Sequence, residues 1–168
     1  LPADMCARPD LVEQAYKSGV PMGADLSAPP QGALPSFVVL SAKDAQSLPL
    51  QRAQIIKGWV TKDGQLKEQV LDVAGNKDNG ATVDINTCTS SGAGEQTLCA
   101  VWTDKDFDPT QRAFYYARVV ENPRCRHTTR VCNALPVEQR PVSCNTSFIK
   151  KVIQERAWSS PIWYSPSN

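Results

Sequence analysis

A chain of 168 residues with 41% hydrophobic content is long enough for one domain with its own core. Lys+Arg 18 against Asp+Glu 17 leaves a net charge of +1, too even a balance for a nucleic-acid binder or a polybasic membrane-surface protein. A charged fraction of 21%, with Trp 4, Tyr 4 and Phe 4, is too apolar for a disordered chain.

Residues 9–18 read as a short helix. Pro9 stands where a first turn tolerates it, Asp10 and Glu13 come early, Lys17 comes late and Gly19 ends it. A Pro-rich stretch follows through Pro35, so residues 1–35 form a helical lead-in and crossing. From Phe37 the signals turn to β. Runs at 36–41, 51–61, 66–74, 81–86, 97–103, 112–121 and 156–164 carry β-branched and aromatic residues between turn signals. Asp63-Gly64 between two of these runs predicts a hairpin, because glycine supplies the positive φ the turn needs. Residues 122–150 read as an irregular, Cys-rich insert. The expected fold is all-β: an antiparallel, Ig-like Greek-key sandwich over 36–168 with one short N-terminal helix.

The six cysteines, Cys6, Cys88, Cys99, Cys125, Cys132 and Cys144, contain no C-x-x-C pair. Zinc sites with close ligand pairs and thioredoxin-like chemistry are therefore out. Three structural disulfides are expected, and with them an oxidising compartment, periplasmic or extracellular. Cys88–Cys99 is the first pairing expected, since a Gly-rich loop separates two strand-like flanks. Cys132–Cys144 and Cys6–Cys125 make up the remainder. No apolar run approaches the ~18 residues of a membrane span. The chain opens at Leu1 rather than Met, so it is expected to be mature, trimmed or cut from something longer.

Candidate sites are few. The single histidine, His127, lies among Arg124, Arg126 and Arg130. A hydrolytic zinc site needs two or three imidazoles in its usual forms, and a phosphate on these arginines competes with a plain stapled surface loop. Asp104, Asp106 and Asp108 form Asp-x-Asp-x-Asp, a weak Ca²⁺ candidate. Pro109 and Tyr115 stand where a calcium loop needs Gly and Glu, so a polar turn is the expected reading. Trp59, Trp102, Trp158 and Trp163 are candidates for a sugar platform, but all fall in predicted strands, and at least three are expected in the core. Ser90-Ser91 and Ser159-Ser160 lack a nucleophile elbow. Asn145-Thr146-Ser147 is a sequon on paper. No cofactor, catalytic residue or nucleic-acid partner is expected of this chain.

Four stretches carry a resemblance: Tyr16–Leu26 (YKSGVPMGADL), Pro49–Trp59 (PLQRAQIIKGW), Trp102–Pro109 (WTDKDFDP) with Gln111–Val119 (QRAFYYARV), and Gln154–Tyr164 (QERAWSSPIWY). In this order they resemble the C-terminal part of a bacterial family of large exported proteins, the domain-of-unknown-function family 3604. Members of that family are several times longer. Their N-terminal part resembles PHP-type metal-dependent hydrolases, with His and Asp ligands that have no counterpart here. The resemblance implies a fragment, a processed chain or a C-terminal β-sandwich module, partnered by the metallohydrolase part of the same gene product. The alternative expectation is a free-standing secreted binding module for carbohydrate or protein.

Overall fold

The computed structural model describes residues 2, 4–30 and 32–166. A 3-10 turn at Met5–Ala7 precedes helix α1, Leu11–Ser18. Asp10 starts the helix. It accepts hydrogen bonds from Arg8 Nε at 3.0 Å and from the Gln14 side chain at 3.1 Å, and the bond from Arg8 holds its carboxyl below the usual range. None of the α1 side chains is buried.

The strands are β1 Asp25–Leu26, β2 Ser36–Ala42, β3 Leu50–Val60, β4 Leu66–Gly75, β5 Thr82–Val83, β6 Ser90–Ser91, β7 Thr97–Thr103, β8 Ala113–Glu121 and β9 Arg124–Cys125. Helix α2, His127–Ala134, and two 3-10 turns follow, then β10 Val152–Ile153, β11 Arg156–Trp158 and β12 Ile162–Tyr164. Strand accounts for 37% of the residues and helix for 16%, which settles the mostly-β class.

β3 and β4 form the expected hairpin, with Gly64 at φ +81 in the turn and Thr61 N–H donating to Gln65 C=O at 2.9 Å. They belong to a six-stranded sheet ordered β1-β12-β8-β3-β4, with β11 also paired to β8. β2 and β7 form a separate two-stranded ribbon that packs over this sheet. Phe37, Val39 and Leu98 of the ribbon meet Ala53, Ile55, Ala113, Tyr115 and Tyr164 of the sheet. Alternation puts these residues on facing surfaces, and each large one contributes about 1.5–3 kcal/mol by leaving water.

Several expectations need correction. The sheets are small and mixed: β1 runs parallel to β12, and the second layer has two strands. The run at 81–86 shrinks to Thr82–Val83, because Asp84 N–H turns to Thr89 C=O and Cys88 takes a φ of 58°. The insert 122–150 is not irregular throughout, since α2 begins at His127. The last run is broken at Ser159–Pro161. There Ser159 Oγ accepts from Ala117 N–H at 2.9 Å, in place of a strand partner.

All six cysteines are paired, as Cys6–Cys99, Cys88–Cys125 and Cys132–Cys144. The third is as expected; Cys88–Cys99 and Cys6–Cys125 are not. Cys99 lies opposite Leu40 in the β2–β7 ladder. Its neighbour Leu98 points into the core, so Cys99 points outward and meets Cys6 in the N-terminal 3-10 turn. Cys88 sits in the turn beside β9 and reaches Cys125. The flanks of the Gly-rich loop belong to different sheets, which is why they make no hairpin. Three such bonds mark a protein of an oxidising compartment outside the cytoplasm. Among the described residues, no helix is long and apolar enough to cross a membrane.

Candidate functional site

A groove of about 500 Å³ runs beside β2. Leu11 and Ala15 of α1 line one side of it, and the length of β2 from Ser36 to Leu40 lines the other. Ile55, Ala117 and Ile162 of the large sheet also line it. The lining is mostly apolar, and Leu40, Tyr16 and Met22 stay exposed around it. Its physical origin is the mismatch between the layers: two strands do not cover the face of a much wider sheet.

The opposite face of the large sheet carries a second feature. Strand register sets Trp163 beside Phe114 and Phe114 beside Gly58 on one row, with Tyr116, Ile56 and Val70 on the next. A Cβ at residue 58 would fall 2.3 Å from the Phe114 ring. Glycine is therefore what lets that ring lie flat across the sheet. Phe114 and Tyr116 stack at 6.3 Å with an interplanar angle of 11°. The third row is polar: Arg118 Nε donates to Gln54 Oε1 at 2.7 Å, and Gln54 Nε2 donates to Asp72 Oδ1 at 2.6 Å.

The tryptophans divide between these surroundings. Trp59 and Trp102 pack against the core. Trp158 and Trp163 are 58% and 48% exposed, so two of the four lie on the surface rather than the one at most that was expected.

Asp104, Asp106 and Asp108 do not converge. Asp104 is buried, and its two oxygens are committed: Oδ2 lies 2.5 Å from Lys57 Nζ and accepts from Tyr115 OH at 2.7 Å, while Oδ1 accepts from Asp106 N–H at 3.1 Å. Asp108 accepts from Thr110 and Gln111 in the following turn. Among the described residues, no three His, Cys, Asp or Glu side chains group as a metal set. The motif is the polar turn plus one buried ion pair. His127 is exposed in the first turn of α2, Ser159 completes the broken edge of β8, and Asn145 is exposed at the end of a 3-10 turn.

Lys57 was the residue sequence reasoning passed over. It is buried, donates also to Asp106 C=O at 3.2 Å, and lies 5.1 Å from the Trp59 ring centroid. The signal was there: in Ala53, Ile55, Lys57, Trp59 the period of two puts the lysine on the core-facing side. A charge in that position calls for a partner. Burial, then the hydrogen bond to Asp104, pushes the Tyr115 hydroxyl above its ordinary value. Every polar atom of this trio has a partner, so it reads as a core clamp between the β7–β8 connection and β3.

No curated protein and no solved structure gives a match. A family model does match, over residues 1–166, and its description is "Protein of unknown function (DUF3604)". The match takes in the groove, the outer sheet face and the buried trio alike, and on it the chain belongs to the DUF3604 family.

Proposed function

We propose that this chain is a non-catalytic β module of a larger exported, PHP-like metal-dependent hydrolase, packed against the part that carries the metal ligands. The observation that carries the reading is its accessible surface. A monomeric protein of 18.4 kDa exposes about 8,200 Å²; this chain exposes 10718 Å². The excess, roughly 2,500 Å², is well above the ~800 Å² each partner contributes to an interface of standard size. Trp158, Trp163, Tyr16, Met22 and Leu40 are among the large apolar side chains that the chain leaves exposed. The hydrolase class comes from the resemblance carried together by Tyr16–Leu26, Pro49–Trp59, Trp102–Pro109 with Gln111–Val119, and Gln154–Tyr164. With one imidazole to offer, the module shapes or supports a metal site built elsewhere. Its three disulfides suit the periplasm or the exterior.

The test is to express the complete reading frame that encodes this chain. The expected product has a His-rich companion part that stays bound to residues 1–168 after limited proteolysis. A reading frame that encodes this chain alone, secreted as a monomer, overturns the proposal. A second reading, a carbohydrate-binding module, is favoured by the Phe114–Tyr116–Trp163 surface beside the Arg118–Gln54–Asp72 row, since sugars stack on rings and bond to planar polar groups. Glycan binding lost on Trp163→Ala with the fold intact supports that reading instead.

A further inference from the structure

We infer that the second layer of this fold is completed by a β-strand from outside the chain, added to the free edge of β2 and filling the groove beside it. The inference rests on the reading above that a companion polypeptide exists.

Among the described residues β2 pairs with β7 and with no other strand. The hydrogen bonds at the two ends of that ladder set its parity. Asp104 N–H donates to Pro35 C=O at 3.0 Å, and Lys43 N–H to Gln96 C=O at 2.9 Å. Hydrogen-bonded pairs recur at every second residue of an antiparallel ladder, so Phe37, Val39 and Ser41 direct their backbone groups to β7. Val38 and Leu40 direct theirs to the free edge, and both residues line the groove. A strand laid there finds backbone partners at Val38 and Leu40. It finds apolar contacts at Ile55, Ala117 and Ile162.

The composition of β2 points the same way. Exposed edges are blunted by lysine, proline, bulges or short length. Ser36-Phe37-Val38-Val39-Leu40-Ser41-Ala42 has no charge, no proline and no bulge in its register. It has the composition of a strand paired on both sides. The occupant is an extended segment of the companion with apolar residues at alternate positions, the strand-addition mode of recognition. A second copy of this chain fits less well: its own Phe37 and Val39 are already in its core, so β2-to-β2 pairing would leave the groove unfilled.

Amide hydrogen exchange tests this, on the 168-residue chain and on the product of the complete reading frame. Exchange at Val38 and Leu40 is expected to be fast in the chain alone and at least ~100-fold slower in the complete polypeptide. Val38→Pro removes the outward N–H, which an edge strand tolerates; it should keep the β7 amides protected while Leu40 loses its protection in the complete polypeptide. Should that variant misfold, Ile162→Ala leaves the β2 backbone intact, removes an apolar contact from the groove, and should likewise lower the protection of Val38 and Leu40 in the complete polypeptide. Equally fast exchange at Val38 and Leu40 in both forms, with protection gained on the outer sheet face, overturns the strand addition and leaves the module reading standing. Slow exchange in the chain alone with the mass of two copies overturns the proposed occupant. A reading frame without a companion overturns both.

Discussion

Lys57, Asp104 and Tyr115 bring two charges and a phenol into the core, and the energetics there are asymmetric. Removing one partner strands the other in a medium where an isolated charge is very costly. Asp104→Asn should therefore destabilise the fold by about 3–5 kcal/mol. The triple variant Lys57→Met, Asp104→Leu, Tyr115→Phe should come within ~1 kcal/mol of the parent or exceed it, since apolar replacement of a buried pair together with the hydroxyl bonded to it leaves no side chain of the trio unpaired. Urea unfolding of both checks this; equal large losses would mean that the pair carries stability beyond charge balance. Tyr115 gives a pH dependence of known sign. Its folded-state value is raised by burial and by Asp104, so above about pH 10 the unfolded state loses a proton that the folded state retains. Stability from this group is complete below about pH 10 and declines as pH rises past it. The denaturation midpoint should fall in alkali, and Tyr115→Phe should flatten part of that fall.

At the scale of elements, the disulfides act on different loops. Cys6–Cys99 spans 93 residues and Cys132–Cys144 spans 12. In the chain-entropy model these closures are worth ~4.7 and ~2.8 kcal/mol. The Cys6→Ala, Cys99→Ala variant should lose more stability than Cys132→Ala, Cys144→Ala, as read from thermal unfolding. The reverse order would mean that the N-terminal turn is held by packing of Met5, which is fully buried, more than by its covalent tie. Strand and turn positions were legible locally. β2, β3, β4, β7 and β8 fall within a residue or two of their expected bounds, and Asp63-Gly64 turns where it should, because alternation and glycine are properties of a few adjacent residues. The Ser159–Pro161 break was not legible: Trp158 and Trp163 look like one strand until β8 is present to pair with each half separately.

For the whole molecule, the isolated chain is expected to hydrolyse no generic phosphoester with added Mn²⁺, Zn²⁺ or Fe²⁺, and to hold none of these ions tightly. A metal that makes hydroxide near neutral pH needs several fixed ligands and an open position. His127 stands exposed on α2 beside Arg126 and Arg130, the cysteines are consumed in disulfides, and Asp104 is committed to Lys57. Turnover that disappears on His127→Ala would reverse this view of the chain. The large accessible surface bears on how the chain behaves alone. With an apolar groove on one side of the sheet and an aromatic surface on the other, it should associate or bind an apolar dye more readily than a monomer of its size.

The sequence by itself determined the mostly-β class, most strand positions, the first helix and the use of all six cysteines in disulfides. Each of these depends on periodicity, on turn residues or on counting. Tertiary structure alone decided that Cys99 meets Cys6 rather than Cys88, that Lys57 is neutralised by Asp104 across 47 residues of chain, and that two tryptophans stay on the surface. It also decided that, among the described residues, the second layer stops at two strands. The physical reason is common to all four: they turn on which distant segments pair, and pairing is set by how whole faces are buried together, which no local pattern encodes.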